Sequence, residues 1–367
     1  MKFVGKYTQQ FKDILTASAV SGLHVMAISE PGWGKTEMAR QAAKGICGND
    51  NGVVMVNLDP STPPEVIRGA YDPAKLLNGE LSRIVTGTPY DPGAHIIILD
   101  EIWRANDVVF DALIHATSQK ELDPREHPVF WGTANFVGKS DRSEALRDRF
   151  GLWIWMEGSL DAKGITAGHL LNGTGVDESF QKGLPSWQEC SEIKHSQPTA
   201  RALEAVQNVV ETLASEAVKT TNTRKEPFKI NPRRIVHWSE LIHRMSVYIT
   251  GTADYTTIPA GATNCLKYAF PATDQETARE WGKVAISIAD SVGELIEKWR
   301  SVMYDELSKV SNLSLTDRTQ KIAVLGQRIS EAERELTGKC KGDPRVTEAL
   351  AEFTRWFSKV VSGQKLE

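Results

Sequence analysis

The segment SEPGWGKT, residues 29–36, is the feature that most constrains this chain. It follows a strand-like apolar run at residues 23–29 and opens a helical pattern at residues 36–46. Its two glycines let backbone N–H groups come close to an anion, and the N-terminus of the following helix directs its dipole at the charge. Lysine suits the β- and γ-phosphates of a nucleotide, and threonine suits Mg²⁺. The segment therefore predicts a phosphate-binding loop, with Ser29 standing where the strict pattern has its first glycine.

Two acids follow a second apolar run that shows no polar alternation. The run HIIIL, residues 95–99, is typical of a strand buried on both faces. Asp100 at its end suits an outer-sphere ligand of Mg²⁺, and Glu101 suits the base that polarises an attacking water. The alternative, two acids that only cap the next helix, is disfavoured because the phosphate-binding loop lies about 65 residues upstream in the expected order.

Three further side chains are candidates for the same chemistry. Asn135 ends the strand-like run 129–135 and suits the positioning of a lytic water, although an Asn that merely turns a strand into a loop is common. Arg147 and Arg149 lie in EALRDRF, residues 144–150, where an arginine can reach the γ-phosphate of a neighbouring subunit. The alternative for these two is a solvated helix end, where arginine is favoured.

Strand and helix patterns alternate in the first part of the chain and give way to helical patterns in the second. The alternation predicts an α/β fold with a parallel sheet, whose five strand-like runs are residues 23–29, 53–58, 95–99, 129–135 and 152–156. Residues 200–218 have helical periodicity, and Asn231-Pro232 predicts a capped helix start. The tract 251–275 is turn-rich, and three amphipathic stripes follow it. These stripes predict either a bundle that buries its own apolar faces or an arm that binds a partner.

Composition excludes several classes of protein. The 43 basic and 47 acidic residues give a net charge of −4, which argues against a general polyanion binder. No window approaches the roughly 18 apolar residues that a membrane span needs, and the first residues show no secretory signal. The four cysteines lie far apart without metal-ligand spacing. We therefore expect a cytoplasmic protein with reduced thiols and no membrane span.

Taken together, the motifs resemble those of the MoxR family of AAA+ ATPases. The likeness runs from residue 3 to about residue 250 and rests on PGWGKT at 31–36, LDEIWRA at 99–105, GTANF at 132–136, EALRDRF at 144–150, Asn231-Pro232-Arg233 and FVGK at 3–6. The order and spacing of the set are more specific than any one motif. Trp33 and Trp103 depart from the family pattern, and packing is the simplest interpretation of both.

The resemblance implies an architecture. An AAA+ α/β nucleotide-binding domain is expected at residues 1–157, an all-α lid at 158–275, and a C-terminal helical bundle or hairpin at 276–367. Residues 76–84 are similar to the family's helix-2 insertion, which faces the central pore of a ring. Independently, Asn78-Gly79 between apolar flanks predicts a type I′ hairpin turn.

The resemblance also implies roles for particular residues. Arg149 would be the arginine finger, with Arg147 as the alternative, and Arg233 would sense the γ-phosphate through the lid. ATP would be held by Glu30, Pro31, Gly32, Trp33, Gly34, Lys35, Thr36 and Glu37, with Val4 and Gly5 near the adenine. Thr36 and Asp100 would serve Mg²⁺, while Glu101 and Asn135 would act on water.

The function implied is ATP hydrolysis in a homo-oligomeric, hexameric ring that remodels a protein client, together with a von Willebrand factor A domain partner. Two alternatives stay open. A nucleic-acid-translocating motor is favoured by TRKEPFKINPRR, residues 223–234, and disfavoured by the net acidity. A nucleotide-gated scaffold with little hydrolysis is the other.

Overall fold

The computed structural model describes most of the chain, with short gaps. The described residues are 6–48, 50, 52–118, 128–156, 178–221, 228–255, 258–289, 291–311, 313, 315–339, 344–362 and 364. Val4 and Gly5 lie outside them, as does the expected boundary at residue 157.

A five-stranded parallel sheet forms the centre of the first part. The strands of the first part are β1 (Val25–Ile28), β2 (Val53–Asn57), β3 (Ala70–Tyr71), β4 (Arg83–Ile84), β5 (Ile96–Asp100), β6 (Val129–Ala134) and β7 (Leu152–Trp155). Strands β3 and β4 pair only with each other, and the other five form the central sheet. The sheet has the order β2-β5-β6-β1-β7, and every pair in it is parallel. All five predicted strands and the predicted parallel sheet are confirmed.

Helices cover both faces of this sheet. The helices of this part are α1 (Lys6–Ser21), α2 (Lys35–Cys47), α3 (Glu65–Arg68), α4 (Pro73–Leu77), α5 (Asp107–Ser118) and α6 (Asp141–Arg147), with a 3₁₀ turn at Ile102–Arg104. Among them, α4 buries none of its residues and lies in the segment between β3 and β4 instead. Successive strand residues point to opposite faces, so Ile96 and Ile98 enter one core cluster while Ile97 and Leu99 enter the other. This double burial explains why the run 95–99 lacks polar alternation.

The insertion, residues 70–84, differs from the predicted turn. Its strands β3 and β4 pair antiparallel, but Asn78 has a φ of −90°, which excludes a type I′ turn. Asp72 accepts hydrogen bonds from the amides of Ala74 and Lys75, and Pro73 occupies the first helical position, so the helix α4 forms between the strands. Gly79, at a φ of +79°, then follows the end of that helix.

The second part of the chain is helical, as predicted. Its helices are α7 (Glu178–Gln181), α8 (Trp187–His195), α9 (Ala200–Thr221), α10 (Pro232–Thr250), α11 (Ala260–Asn264) and α12 (Gln275–Ala289), with a 3₁₀ turn at Cys265–Tyr268 inside the turn-rich tract. The predicted start of α10 is confirmed, because Asn231 caps it by accepting from the Arg234 amide at 3.0 Å. These helices pack on α1 and share its core cluster, to which Trp238 and Trp281 contribute.

Three C-terminal helices form a cluster of their own. α13 (Ser291–Ser311), α14 (Leu315–Lys339) and α15 (Pro344–Val361) each pack against the other two. Trp299, Leu325 and Phe353 are among the residues buried between them. The apolar stripes are therefore buried within a bundle rather than displayed on an arm. Helix α12 contributes Trp281 to the core cluster that the preceding helices share with α1.

None of the helices in the described ranges is both long enough and apolar enough to cross a bilayer.

Candidate functional site

The phosphate-binding loop connects β1 to α2 at the carboxyl end of the sheet. Gly32 and Gly34 have φ values of +84° and +75°, a conformation that favours glycine. Helix α2 begins at Lys35, directly after this turn. The free amides at its N-terminus can therefore bind an anion there. Glu30 and Pro31 are exposed on the loop, and Trp33 packs against the core.

The Lys35 ammonium is buried at the centre of the loop. It donates to the Ser29 carbonyl and hydroxyl, both at 3.0 Å, to the Glu30 carbonyl at 3.2 Å and to Asn135 Oδ1 at 2.8 Å. Burial lowers the pKa of Lys35, while the nearby carboxylates of Glu101 and Asp100 act in the opposite direction. Ser29, the departure from the strict pattern, thus supplies an additional acceptor for the lysine.

Two hydroxyls converge on the carboxylate of Asp100. Thr36 Oγ1, in the first turn of α2, donates to Asp100 Oδ1 at 2.6 Å, and Thr133 on β6 donates to the same oxygen. A hydroxyl and a carboxylate are hard oxygen donors, and Mg²⁺ in nucleotide sites uses few protein ligands. The chemistry of Thr36 and Asp100 therefore fits the predicted Mg²⁺ site.

Glu101 lies beside Asp100 in a strained backbone conformation. Its φ of 56° is in the left-handed region, which a non-glycine residue seldom adopts. The side chain of Asn135 donates to Glu101 Oε1, and Arg104 Nε lies 3.6 Å from Glu101 Oε2. Asn135 thus bridges Lys35 and Glu101 directly. A water placed between this pair and a terminal phosphate would be within reach of a base.

Glu37, expected at the nucleotide, and Trp103, expected to pack, both make their contacts away from the phosphate-binding loop. The carboxylate of Glu37 accepts from Arg40 and Gln41 of its own helix, so its contacts are with α2 rather than with the loop. Trp103 is buried and stacks on Phe110 with ring centroids 6.1 Å apart, which confirms packing as its role.

The predicted arginines lie at the opposite edge of the sheet from the phosphate-binding loop. In the parallel register Val25 aligns with Leu152 and Ile28 with Trp155. The loop therefore leaves the carboxyl end of β1, whereas residues 147–149 precede the amino end of β7. Four strand residues separate these edges by about 13 Å. These arginines are too far away to complete their own chain's phosphate site.

The two finger candidates have different surroundings. Arg149 donates from Nε to Ser118 Oγ at 2.7 Å and from a terminal nitrogen to the Ala145 carbonyl. Arg147 is half-buried and lines a cleft of about 380 Å³ between α6 and the lid. Burial lowers the pKa of Arg147, opposed by the charge of Glu144.

Arg233, expected from the resemblance to sense the γ-phosphate through the lid, pairs in this structure with a carboxylate near the finger candidates. Its Nη1 donates to Asp148 Oδ2 at 2.9 Å, at the same edge as the finger candidates. The next residue, Arg234, is 1% exposed and also binds Asp148, at 3.0 Å.

Three contributors were missed from the sequence: Thr133, Asp148 and Arg234. Thr133 carried a detectable signal, since it lies two residues before Asn135 in the strand-like run 129–135 and would share its face there. Asp148 and Arg234 carried no such signal, because the hydrogen bond that joins them links residues 86 positions apart.

Comparisons with known proteins agree with this geometry. Residues 24–150 match the family model described as an AAA domain of the dynein-related subfamily. The structural protein ORF618 of Acidianus two-tailed virus is 29% identical over 157 residues, which are 41% of this chain and 25% of that protein. The chain thus spans about a quarter of the length of this curated relative.

Solved structures give the same fold. A candidate ATPase from Cytophaga hutchinsonii superposes with a TM-score of 0.52 at 14% identity, covering 76% of this chain and 88% of that one. A DNA polymerase III gamma subunit-related protein from Thermotoga maritima covers 96% of this chain at 9% identity, but its TM-score of 0.25 is too low to support an argument. Residues 24–150 of this chain thus match an AAA domain, and the parallel sheet followed by a largely helical part agrees with an AAA+ fold.

Proposed function

We propose that this chain is a MoxR-like AAA+ ATPase. It would assemble into a ring of six copies in the cytoplasm and couple ATP hydrolysis to the remodelling of a protein client, assisted by a protein with a von Willebrand factor A domain. The observation that supports a ring is the distance between the phosphate-binding loop and the candidate arginine fingers within one chain. The loop and acids lie at one edge of the sheet, and the arginines lie at the other.

Within one subunit, the residues around the loop would bind the nucleotide and prepare the water. The α2 N-terminus and Lys35 would hold the phosphates, and Lys35 would exchange some of its present acceptors for phosphate oxygens. Thr36 and Asp100 would hold Mg²⁺, which neutralises charge on the phosphates when bound. Glu101 would accept a proton from the attacking water.

The bridge through Asn135 supports a further role. Because Asn135 contacts Lys35 and Glu101 together, movement of the lysine toward a phosphate would change the contacts that fix the base. The side chain would thus orient Glu101 and the water according to whether a nucleotide is present. Its amide has a donor and an acceptor, as this bridging requires.

The insertion supports contact with a protein client. Leu77 is 89% exposed and Leu81 is 80% exposed, and both belong to the same short segment between β3 and β4. Exposed leucines suit transient contact with apolar side chains of an unfolded or partly opened protein. In the proposed ring these leucines would face the pore.

The test compares the wild-type chain with Glu101→Gln and with Glu80→Gln, a control that removes an exposed acid of the insertion. Turnover should be lost in Glu101→Gln while ATP binding is retained, since only the base is removed. Glu80→Gln should hydrolyse ATP at the wild-type rate. Normal turnover in Glu101→Gln would exclude the assignment.

One observation favours a second candidate, a nucleotide-gated scaffold. The curated relative from Acidianus two-tailed virus is described as a structural protein. ATP binding without measurable turnover in the wild-type chain would support that function. The nucleic-acid motor loses part of its support, because two basic residues of its tract, Arg233 and Arg234, are bound to Asp148.

A further inference from the structure

Asp148 joins the arginine segment, residues 147–149, to the start of the lid helix α10. Its carboxylate accepts from Asn231 Nδ2 at 3.1 Å, from Arg233 Nη1 at 2.9 Å and from Arg234 Nη2 at 3.0 Å. All three donors belong to the first turn of α10 or its cap. We call this group the Asp148 clamp.

The clamp is built around a buried guanidinium. Arg234 is 1% exposed, and its nitrogens also donate to the carbonyls of Asp148 and Phe150, both at 3.1 Å. Burial lowers the pKa of Arg234 to about 10, and the charge of Asp148 opposes that effect. Two carbonyls and one carboxylate of residues 148–150 therefore enclose a single charged group of the lid.

The side chain of Asn231 contacts both Asp148 and the first turn of α10. Its Oδ1 accepts from the Arg234 amide and so caps α10, while its Nδ2 donates to Asp148. A shift of the helix start would therefore break the contacts of Asp148, and a shift of Asp148 would remove part of the cap's support. The arginine segment and the first turn of α10 are held together as one unit.

Helix α10 in turn shares a core with the helix of the phosphate-binding loop. Trp238 and Leu241 of α10 belong to the same buried cluster as Ala39 and Ala42 of α2. Packed side chains of this kind transmit displacements because the core is dense. Helix α10 packs on α1, which in turn packs on α2, so this unit is connected through α1 to the helix of the phosphate-binding loop, while its first turn contacts Asp148.

We propose that Asp148 is a positioning residue for hydrolysis in the neighbouring subunit, because it sets the arginine segment relative to the lid. The inference rests on the proposed ring function. Asp148 touches no reacting atom and acts through Arg147 and Arg149 on either side of it. A displacement of about 1 Å in a group that orients the transition state can lower turnover about 10²-fold.

The experiment mixes subunits. Asp148→Asn keeps the size of the side chain and removes its charge, and its control is Asp111→Asn, which removes an exposed carboxylate that lies near Arg142. Alone, Asp148→Asn should show a kcat lowered about 10²-fold with little change in KM or ATP affinity, because its own loop and acids are intact. Asp111→Asn should keep wild-type turnover.

Mixing Asp148→Asn with an excess of Glu101→Gln then gives the decisive readout. Glu101→Gln subunits have no working base but offer an intact arginine segment. Turnover per Asp148→Asn subunit should rise toward the wild-type value in the mixture. A merely structural role would leave the turnover of each Asp148→Asn subunit unchanged by mixing and would overturn the proposal.

A second variant covers the case in which Asp148→Asn fails to fold. Arg233→Ala removes one partly exposed donor of the clamp and leaves the buried Arg234 paired. It should show the same lowered kcat and the same recovery with Glu101→Gln subunits. Wild-type turnover in Arg233→Ala would contradict the clamp. An inactive wild-type chain would instead contradict the ATPase function itself.

Discussion

At the scale of single residues, the surroundings of Arg147 and Arg149 assign them different tasks. Arg149 is held by Ser118 and the Ala145 carbonyl, so much of its hydrogen-bonding capacity is used inside its own subunit. Arg147 lines the cleft beside the lid, and the described part of the chain gives it neither a hydrogen bond nor an ion pair. A half-buried guanidinium with free donors is the better candidate for a neighbour's phosphate.

This difference gives a paired prediction. Arg147→Ala should lower turnover about 10³-fold, as expected for loss of an arginine finger, with an unchanged melting temperature. Arg149→Ala should lower the melting temperature by several degrees, because it leaves internal acceptors without donors. Steady-state turnover and thermal unfolding of both variants check this. The opposite pattern would restore Arg149, the residue implied by sequence, as the finger.

Lys194 gives a prediction about pH. Its ammonium is buried over the ring of Trp187 at 3.9 Å, and the structure's described residues offer it no hydrogen-bond acceptor. Burial lowers the pKa of Lys194 to about 8, with Cys190, Arg244 and Cys47 as its charged or ionisable neighbours. Between pH 8 and the unfolded value near 10.5, the unfolded chain binds more protons, so stability should rise with pH.

Lys194→Met should remove that rise. The variant should be more stable than the wild-type chain at pH 7, by up to about 3 kcal/mol, because it buries no charge. The thiols of Cys47 and Cys190 have pKa values raised to about 12 by burial, so they stay protonated over this range. Denaturant unfolding at several pH values between 7 and 10.5 measures the slope. Equal slopes in both proteins would contradict the account.

At the scale of elements, the insertion depends on one glycine. Gly69 has a φ of +79°, and a Cβ there would lie 2.3 Å from the Ile84 carbonyl oxygen. Gly69→Ala should therefore separate β3 from β4 and remove hydrogen-exchange protection from the Asp72 amide, which now donates to the Ser82 carbonyl at 2.9 Å. The sheet core should be unaffected, because neither strand belongs to it.

Gly87→Ala is the matched control. Gly87 also has a positive φ, +75°, but a Cβ there would meet no atom within 4 Å. It tests the effect of backbone strain without a clash, so protection of the Asp72 amide should persist. Loss of protection in both variants would show that strain rather than contact controls the insertion.

The elements also show what the sequence can and cannot predict. The parallel strands were predictable because apolar runs such as 95–99 carry the signature of double burial. The phosphate-binding loop and its acids were predictable because each follows a strand directly. The Asn78-Gly79 turn was mispredicted because a second local signal, the capped start at Asp72-Pro73, places a helix at Pro73–Leu77 that ends at Asn78. The ion pair of Arg233 with Asp148 was not predictable, because it joins residues 85 positions apart.

At the scale of the whole molecule, the phosphate-binding loop and the arginine segment lie at opposite edges of the sheet. In the proposed ring they would be two half-sites, and copies would have to meet head to tail so that the arginines of one copy approach the loop of the next. A heterologous contact of this kind closes into a ring when the rotation allows it. Hydrolysis should then depend on assembly and not only on the fold of the single chain.

The most direct test measures ATP turnover per chain across protein concentration, with the assembly state followed by sedimentation on the same samples. Turnover per chain should rise as the monomer converts to the ring, and Glu101→Gln should show no turnover at any concentration. Constant turnover per chain down to concentrations at which the protein is monomeric would contradict the proposed ring, because each chain would then hold a complete site.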